Sequence, residues 1–131
     1  MSIKYICPKC NNSVSIDDQI ILTGKTKTGL KGLVILKSKL GDYTTRFSDD
    51  LQIVEGNKVT LSCPICHACL ATRKDKNLAH LKMINEDNKE STIFFSQVYG
   101  EKCTYKIEDK EVISFGKDKE HYRPDWFVEN L

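Results

Sequence analysis

Two short cysteine pairs constrain this chain more than any other feature: Cys7-Pro8-Lys9-Cys10 near the start and Cys63-Pro64-Ile65-Cys66 near the middle. In each pair a proline follows the first cysteine, and an apolar residue lies four positions after the second, Val14 in one copy and Leu70 in the other. Two intervening residues allow a tight turn that aims both sulfurs at one point, and backbone amides of the turn then donate to the thiolates. Two such turns supply four thiolates, enough to close a tetrahedral shell. They also tie together segments separated by the 52 residues between Cys10 and Cys63, so any fold must bring these turns face to face.

The expected ligands are Cys7, Cys10, Cys63 and Cys66, and the expected cofactor is one structural Zn²⁺. A competing register exists. Sliding the chain by 59 residues carries Gly41-Asp42 onto Gly100-Glu101, Thr45 onto Thr104, Asp50 onto Asp109 and Val34-Ile35-Leu36 onto Ile93-Phe94-Phe95. That shift also carries Cys7 and Cys10 onto Cys66 and Cys69, whereas a shift of 56 aligns the prolines and pairs Cys63 with Cys66. Proline presets the turn, which favours Cys63 with Cys66 and leaves Cys69 where Ser13 stands, as a nearby spare. If the repeat is a duplication, it predicts two similar hairpins around an approximate twofold axis with one shared metal; the other reading is chance likeness between β-hairpins. Cys103 alternates with Tyr105 and Ile107 and reads as core. His67 reads as a turn residue, with a replacement ligand as the alternative, and His80 and His121 read as surface residues.

The rest of the chain reads as mainly β. Val14 and Ile16 alternate, and Ile20 to Thr23 is a strand ended by Gly24. Residues 24–32, with three glycines and three lysines, read as a loop or a mobile hairpin tip. Leu33 to Leu36 is apolar throughout and suits a strand covered on both faces or a short crossing segment. A strand from Tyr43 to Phe47 follows, and Val59 to Ser62 delivers the second cysteine turn. Residues 78–84 read as a strand rather than a helix, with Ala79, Leu81 and Met83 on one face. Strands around Thr92–Phe95, Cys103–Ile107 and Val112–Phe115 complete the pattern. The tail from 117 is polar, and a short helix near 124–131 would carry Trp126, Phe127 and Leu131. The expected fold is one domain over 1–131, mainly β, with antiparallel hairpins extending the metal turns.

Through its two C-P-x-C hairpins the chain resembles the zinc-ribbon group, whose turns are also called rubredoxin-like knuckles. The likeness covers residues 3–16 and 58–71. It implies a metal site and says little about activity, since such modules serve as nucleic-acid contacts, protein docking modules and structural lobes of enzymes. Two departures stand out. Glycine often follows the second cysteine in such knuckles, where this chain has Asn11 and His67, and a rubredoxin would have a shorter loop between the pairs. Cys63, Cys66 and Cys69 also open an iron–sulfur motif, but Arg73 and Lys74 stand where its closing cysteine and proline would lie.

Function is bounded mostly by exclusion. A net charge of +2 makes no global case for nucleic acid or an acidic membrane. The cysteine-rich start leaves no room for a signal-peptide core, no apolar run suits a membrane span, and C-x-x-C thiols fit a reducing compartment, so a cytoplasmic protein is expected. No nucleophile elbow or Walker loop is present, and the acidic pairs Asp17-Asp18, Asp49-Asp50 and Glu108-Asp109 sit at turns rather than in an acid–base arrangement. A closed four-cysteine shell argues for structure over catalysis. The expected role is therefore a protein-binding or accessory module, with Trp126 and Phe127 as contacts if exposed. The alternatives are nucleic-acid binding through the Lys-rich segments 25–39 and 73–82, and electron transfer on iron.

Overall fold

The computed structural model describes residues 3–49, 51–73 and 75–122, which form strands and no helix. The first half holds β1 (Lys4–Ile6), β2 (Ser15–Ile16), β3 (Gln19–Lys25), β4 (Lys31–Lys37) and β5 (Thr45–Phe47). The second holds β6 (Thr60–Ser62), β7 (Leu78–Ile84), β8 (Glu90–Ser96), β9 (Thr104–Glu108) and β10 (Glu111–Phe115). The helix expected near 124–131, with Trp126, Phe127 and Leu131, lies outside the described residues. No helix among the described residues is long and apolar enough to cross a membrane.

Two antiparallel sheets result, one in the order β1-β7-β8-β9-β10 and the other β2-β3-β4-β5 with β6 also on β3. Their registers repeat. Adding 59 to both members carries Gln19↔Lys37 of the β3–β4 hairpin onto Leu78↔Ser96 of β7–β8, and Leu36↔Thr45 onto Phe95↔Thr104. The hairpin turns repeat as well: Thr26 N–H donates to Leu30 O at 2.9 Å and Asn85 N–H to Lys89 O at 3.0 Å. Gly29 (φ 92°) and Asn88 (φ 66°) hold the same left-handed position.

The two halves exchange strands. β1 of the first half pairs with β7 of the second, while β6 of the second pairs with β3 of the first. The pairs correspond one to one: Lys4↔Ile84 with Thr60↔Lys25, Tyr5↔Met83 with Leu61↔Gly24, and Ile6↔Lys82 with Ser62↔Thr23. After each cysteine turn the chain doubles back on its own strand, at Ile6↔Ser13 and Ser62↔Cys69, and then meets its own hairpin at Ser15↔Ile20 and Ala71↔Ala79. Backbone pairing therefore runs from β3 through the first return arm to β1, across to β7, through the second return arm to β6, and back to β3. A closed ring of this kind leaves neither half able to satisfy its backbone groups without the other.

One buried cluster spans both sheets, including Tyr5, Ile20, Leu22, Val34, Leu61, Leu70, Leu81 and Ile93. A second, smaller cluster of Leu78, Phe94, Cys103, Tyr105 and Ile107 lies on the opposite face of the β7–β10 sheet, with Tyr122 packed on it. Cys103 is thus core, and burial pushes its thiol up to about 12.

Three local expectations need correction. Gly24 does not end a strand: it sits inside β3, paired with Gly32 and Leu61. A β-carbon there would lie 2.6 Å from Val34 Cγ2 and 2.7 Å from Val59 Cγ1, so the glycine serves close packing rather than a turn. Of the two readings for residues 24–32, the hairpin tip is the one found, a short turn over 26–30 joining β3 to β4. β4 is covered on one face only, with Val34 buried and Leu33 44% exposed. Its neighbour β5 starts at Thr45, because Asp42 Oδ1 accepts the Thr44 N–H and Thr45 Oγ1 donates to Tyr43 O, holding 42–44 in a turn.

Replacing Gly24 by alanine should destabilise the protein by about 1–3 kcal/mol through overpacking, measured by denaturant unfolding. Gly29→Ala, with nothing within 4 Å of the added carbon, tests backbone conformation alone and should cost less.

Candidate metal centre

Each cysteine turn sits at the end of an exchanged strand, Cys7 directly after β1 and Cys63 directly after β6. The turns have the same hydrogen bonds. Asn11 N–H donates to Cys7 O and His67 N–H to Cys63 O, both at 2.9 Å, while Cys7 N–H donates to Asn12 O and Cys63 N–H to Ala68 O, both at 3.0 Å. Asn11 (φ 62°) and His67 (φ 65°) both occupy the left-handed region that glycine often fills. The second turn therefore does not deviate from the first, although histidine enters that region less readily than asparagine. His67 is an exposed turn residue.

The exchange brings the two turns together. Sγ of Cys7 lies 3.8 Å from Sγ of Cys66, and Sγ of Cys10 lies 3.8 Å from Sγ of Cys63. All four sulfurs fall within 4.8 Å of one another. A tetrahedron of metal–sulfur bonds of about 2.3 Å has edges of about 3.8 Å, so the donor set fits one thiolate-bound ion. Cys69 stands outside this group, on the return arm opposite Ser62, and is exposed. Thus the four cysteines expected as ligands are brought together, and the Cys66 with Cys69 register is not.

Backbone donors serve the sulfurs. Lys9 N–H points at Cys7 Sγ (3.4 Å), and Ile65 N–H (3.3 Å) and Cys66 N–H (3.5 Å) point at Cys63 Sγ. Such donors favour thiolate over thiol. Cys7 and Cys63 are fully buried, Cys10 is half-buried and Cys66 is exposed. Burial pushes the Cys7 thiol up to about 11, whereas the backbone N–H of Asn12 leads in bringing Cys10 down to about 7. A cation at the centre would supply the charge that a buried thiolate pair lacks.

Comparison with known proteins adds no family. No family model, curated protein or solved structure matches this chain. The site therefore stands on its own geometry.

Two supports of the site were not legible in the sequence. His80, expected at the surface, is half-buried: its ring stacks on Phe94 at 5.9 Å and its Nδ1 lies 3.0 Å from Leu70 O, on the second return arm. Its place two residues from buried Leu78, on the same face of β7, was the available signal, masked by the polarity of histidine. The other is the three-residue difference between the arms, five residues from Ser15 to Ile20 but eight from Ala71 to Ala79. The Lys-rich segments fall on the β3–β4 hairpin and around the start of β7, where Lys37 is 3.6 Å from Asp18 and Lys82 is 3.6 Å from Glu90. Lys74 lies outside the described residues.

Desolvation pulls the His80 pKa below its ordinary value of 6.5. The unfolded chain thus takes up this proton at higher pH than the folded one, so the stability it contributes is full above about pH 6.5 and is lost as pH falls through the folded value. His80→Gln keeps a donor for Leu70 without titrating. Its melting temperature should fall less than that of the wild type between pH 7 and pH 5; an equal fall in both would remove His80 from the acid response.

Proposed function

We propose that residues 3–16 and 58–71 are the two knuckles of a zinc ribbon, that Cys7, Cys10, Cys63 and Cys66 bind one structural Zn²⁺, and that the protein is a cytoplasmic protein-binding or accessory module. The observation that carries this reading is the closed donor set. Four thiolates at tetrahedral spacing leave no coordination position for water or substrate, which is the pattern of structural rather than catalytic zinc. The ion would bridge β1 and β6, the strands through which the halves exchange, so its chemistry is that of a clip. All six cysteines are free thiols. That accords with a reducing compartment, in which such a site persists.

Elemental analysis and a visible spectrum of protein purified without added metal test the reading. One zinc per chain and no colour support it. Stoichiometric iron with thiolate-to-metal absorption would replace it with electron transfer, because the same four-sulfur shell also suits that ion. In the zinc form, chelation should unfold the chain or lower its melting temperature steeply.

Substitution resolves the ligand set. Cys63→Ser should lose most of the metal and destabilise the fold, leaving a buried site short of one thiolate, whereas Cys69→Ser should keep both metal content and melting temperature. The reverse pattern would assign the site to Cys66 and Cys69.

A further inference from the structure

The two halves match up to the ends of β5 and β9 and then diverge. In the second half, β9 is covered on its outer edge by β10, with Ile113 opposite Lys106, Ser114 opposite Tyr105 and Phe115 opposite Thr104. Among the described residues of the first half no equivalent strand follows. Past β5, Leu51 N–H turns back on Ser48 O and Leu51 is buried where β-carbons on Gly24 and Gly32 would otherwise project, while Ser48 N–H still donates to Leu33 O. That bond fixes the ladder phase on β4. By the alternation of an antiparallel pair, Arg46 bonds to β4 while Thr45 and Phe47 turn their N–H and C=O groups away from it. Among the described residues no backbone group bonds to β5 from that outer side.

The surroundings of this edge specify what fits it. Thr45 and Phe47 share a face with Leu36 and Val34, and all four line a cavity of about 360 Å³ between the sheets, closed on its far wall by Ile93 and Phe95. Arg46 lies on the opposite face beside Ile35, is exposed, and has no ion-pair partner among the described residues. Its counterpart in the second half is Tyr105, which is fully buried.

We infer that β5 is a strand-addition site for an extended peptide of a partner protein. The peptide pairs antiparallel to β5, as β10 does to β9, with apolar residues opposite Thr45 and Phe47 and an acidic residue opposite Arg46. The first two side chains extend the cavity face, and the carboxylate meets the exposed Arg46 guanidinium across the strands. This inference rests on the protein-binding reading above and names its surface and partner chemistry. The second half supplies the template, since β10 occupies the corresponding place there.

The test uses zinc-loaded full-length protein and two fluorescent peptides copying residues 110–116, one carrying Ser114→Glu and the other Ser114→Lys. Anisotropy titration at low salt should show saturable binding, with the Glu peptide roughly tenfold tighter than the Lys peptide. Arg46→Glu should invert that order. Thr45→Pro removes an outward N–H without touching the β4 ladder, so it should abolish binding of both peptides at unchanged zinc content. Amide shifts should centre on residues 45–47. The inference is overturned if neither peptide saturates, if Arg46→Glu leaves the order unchanged, or if the shifts centre on β9 and β10 through strand displacement. Self-association of the peptide-free protein through β5 would also overturn it, by making a second copy the occupant. None of these outcomes alters zinc stoichiometry, so failure of the peptide site is distinguishable from failure of the metal reading.

Discussion

The structure depends on the reciprocal pairing of two three-residue strands. β1 and β6 are too short to persist as isolated ladders, yet each is the bridge by which one half of the chain reaches the other. Their ends carry the cysteine turns, and the sulfurs meet across the exchange, Cys7 with Cys66 and Cys10 with Cys63. Local turn geometry sets each cysteine pair; the long-range pairing sets the tetrahedron. An ion bound there would make metal affinity and strand exchange one equilibrium, adding to folding the free energy that short strands do not supply.

The two crossings solve the same packing problem with different residues. Where the second half's hairpin receives β1, Tyr5 stands opposite Met83 and both are buried. At the corresponding place, Leu61 stands opposite Gly24, and the space is filled by Val59, Val34 and Leu51 instead. Leu51 can reach that space because the chain leaves β5 inward rather than forming a strand like β10. One departure from the repeat thus accounts for a core glycine, for the inward position of Leu51 and for the bare edge of β5.

Much of this was legible in the sequence, and the exceptions have physical causes. Alternation at Leu78–Ile84 and Cys103–Ile107 marked strands because those faces are buried, and the repeated proline picked out the four cysteines that the fold brings together. The two internal shifts, 56 over the cysteine turns and 59 over the hairpins, read as rivals but are both present, because the second return arm is three residues longer. Gly24 was misread since a glycine required for close packing looks like one required for a turn. The continuous apolar run at Leu33–Leu36 implied two covered faces, but only the inner one is closed. No local signal announces that β1 belongs to the other half's sheet: the pairing of Lys4 with Ile84 is a property of the whole chain.

The central claim is that one metal site holds both exchanged strands, and native-state hydrogen exchange with and without the ion tests it most directly. The account predicts that removing the metal raises exchange at the β1 amides (residues 4–6) and the β6 amides (residues 60–62) together, before the β3–β4 and β7–β8 hairpins open. Protection of β1 and β6 that is unchanged by metal removal, or lost in one strand alone, would contradict it.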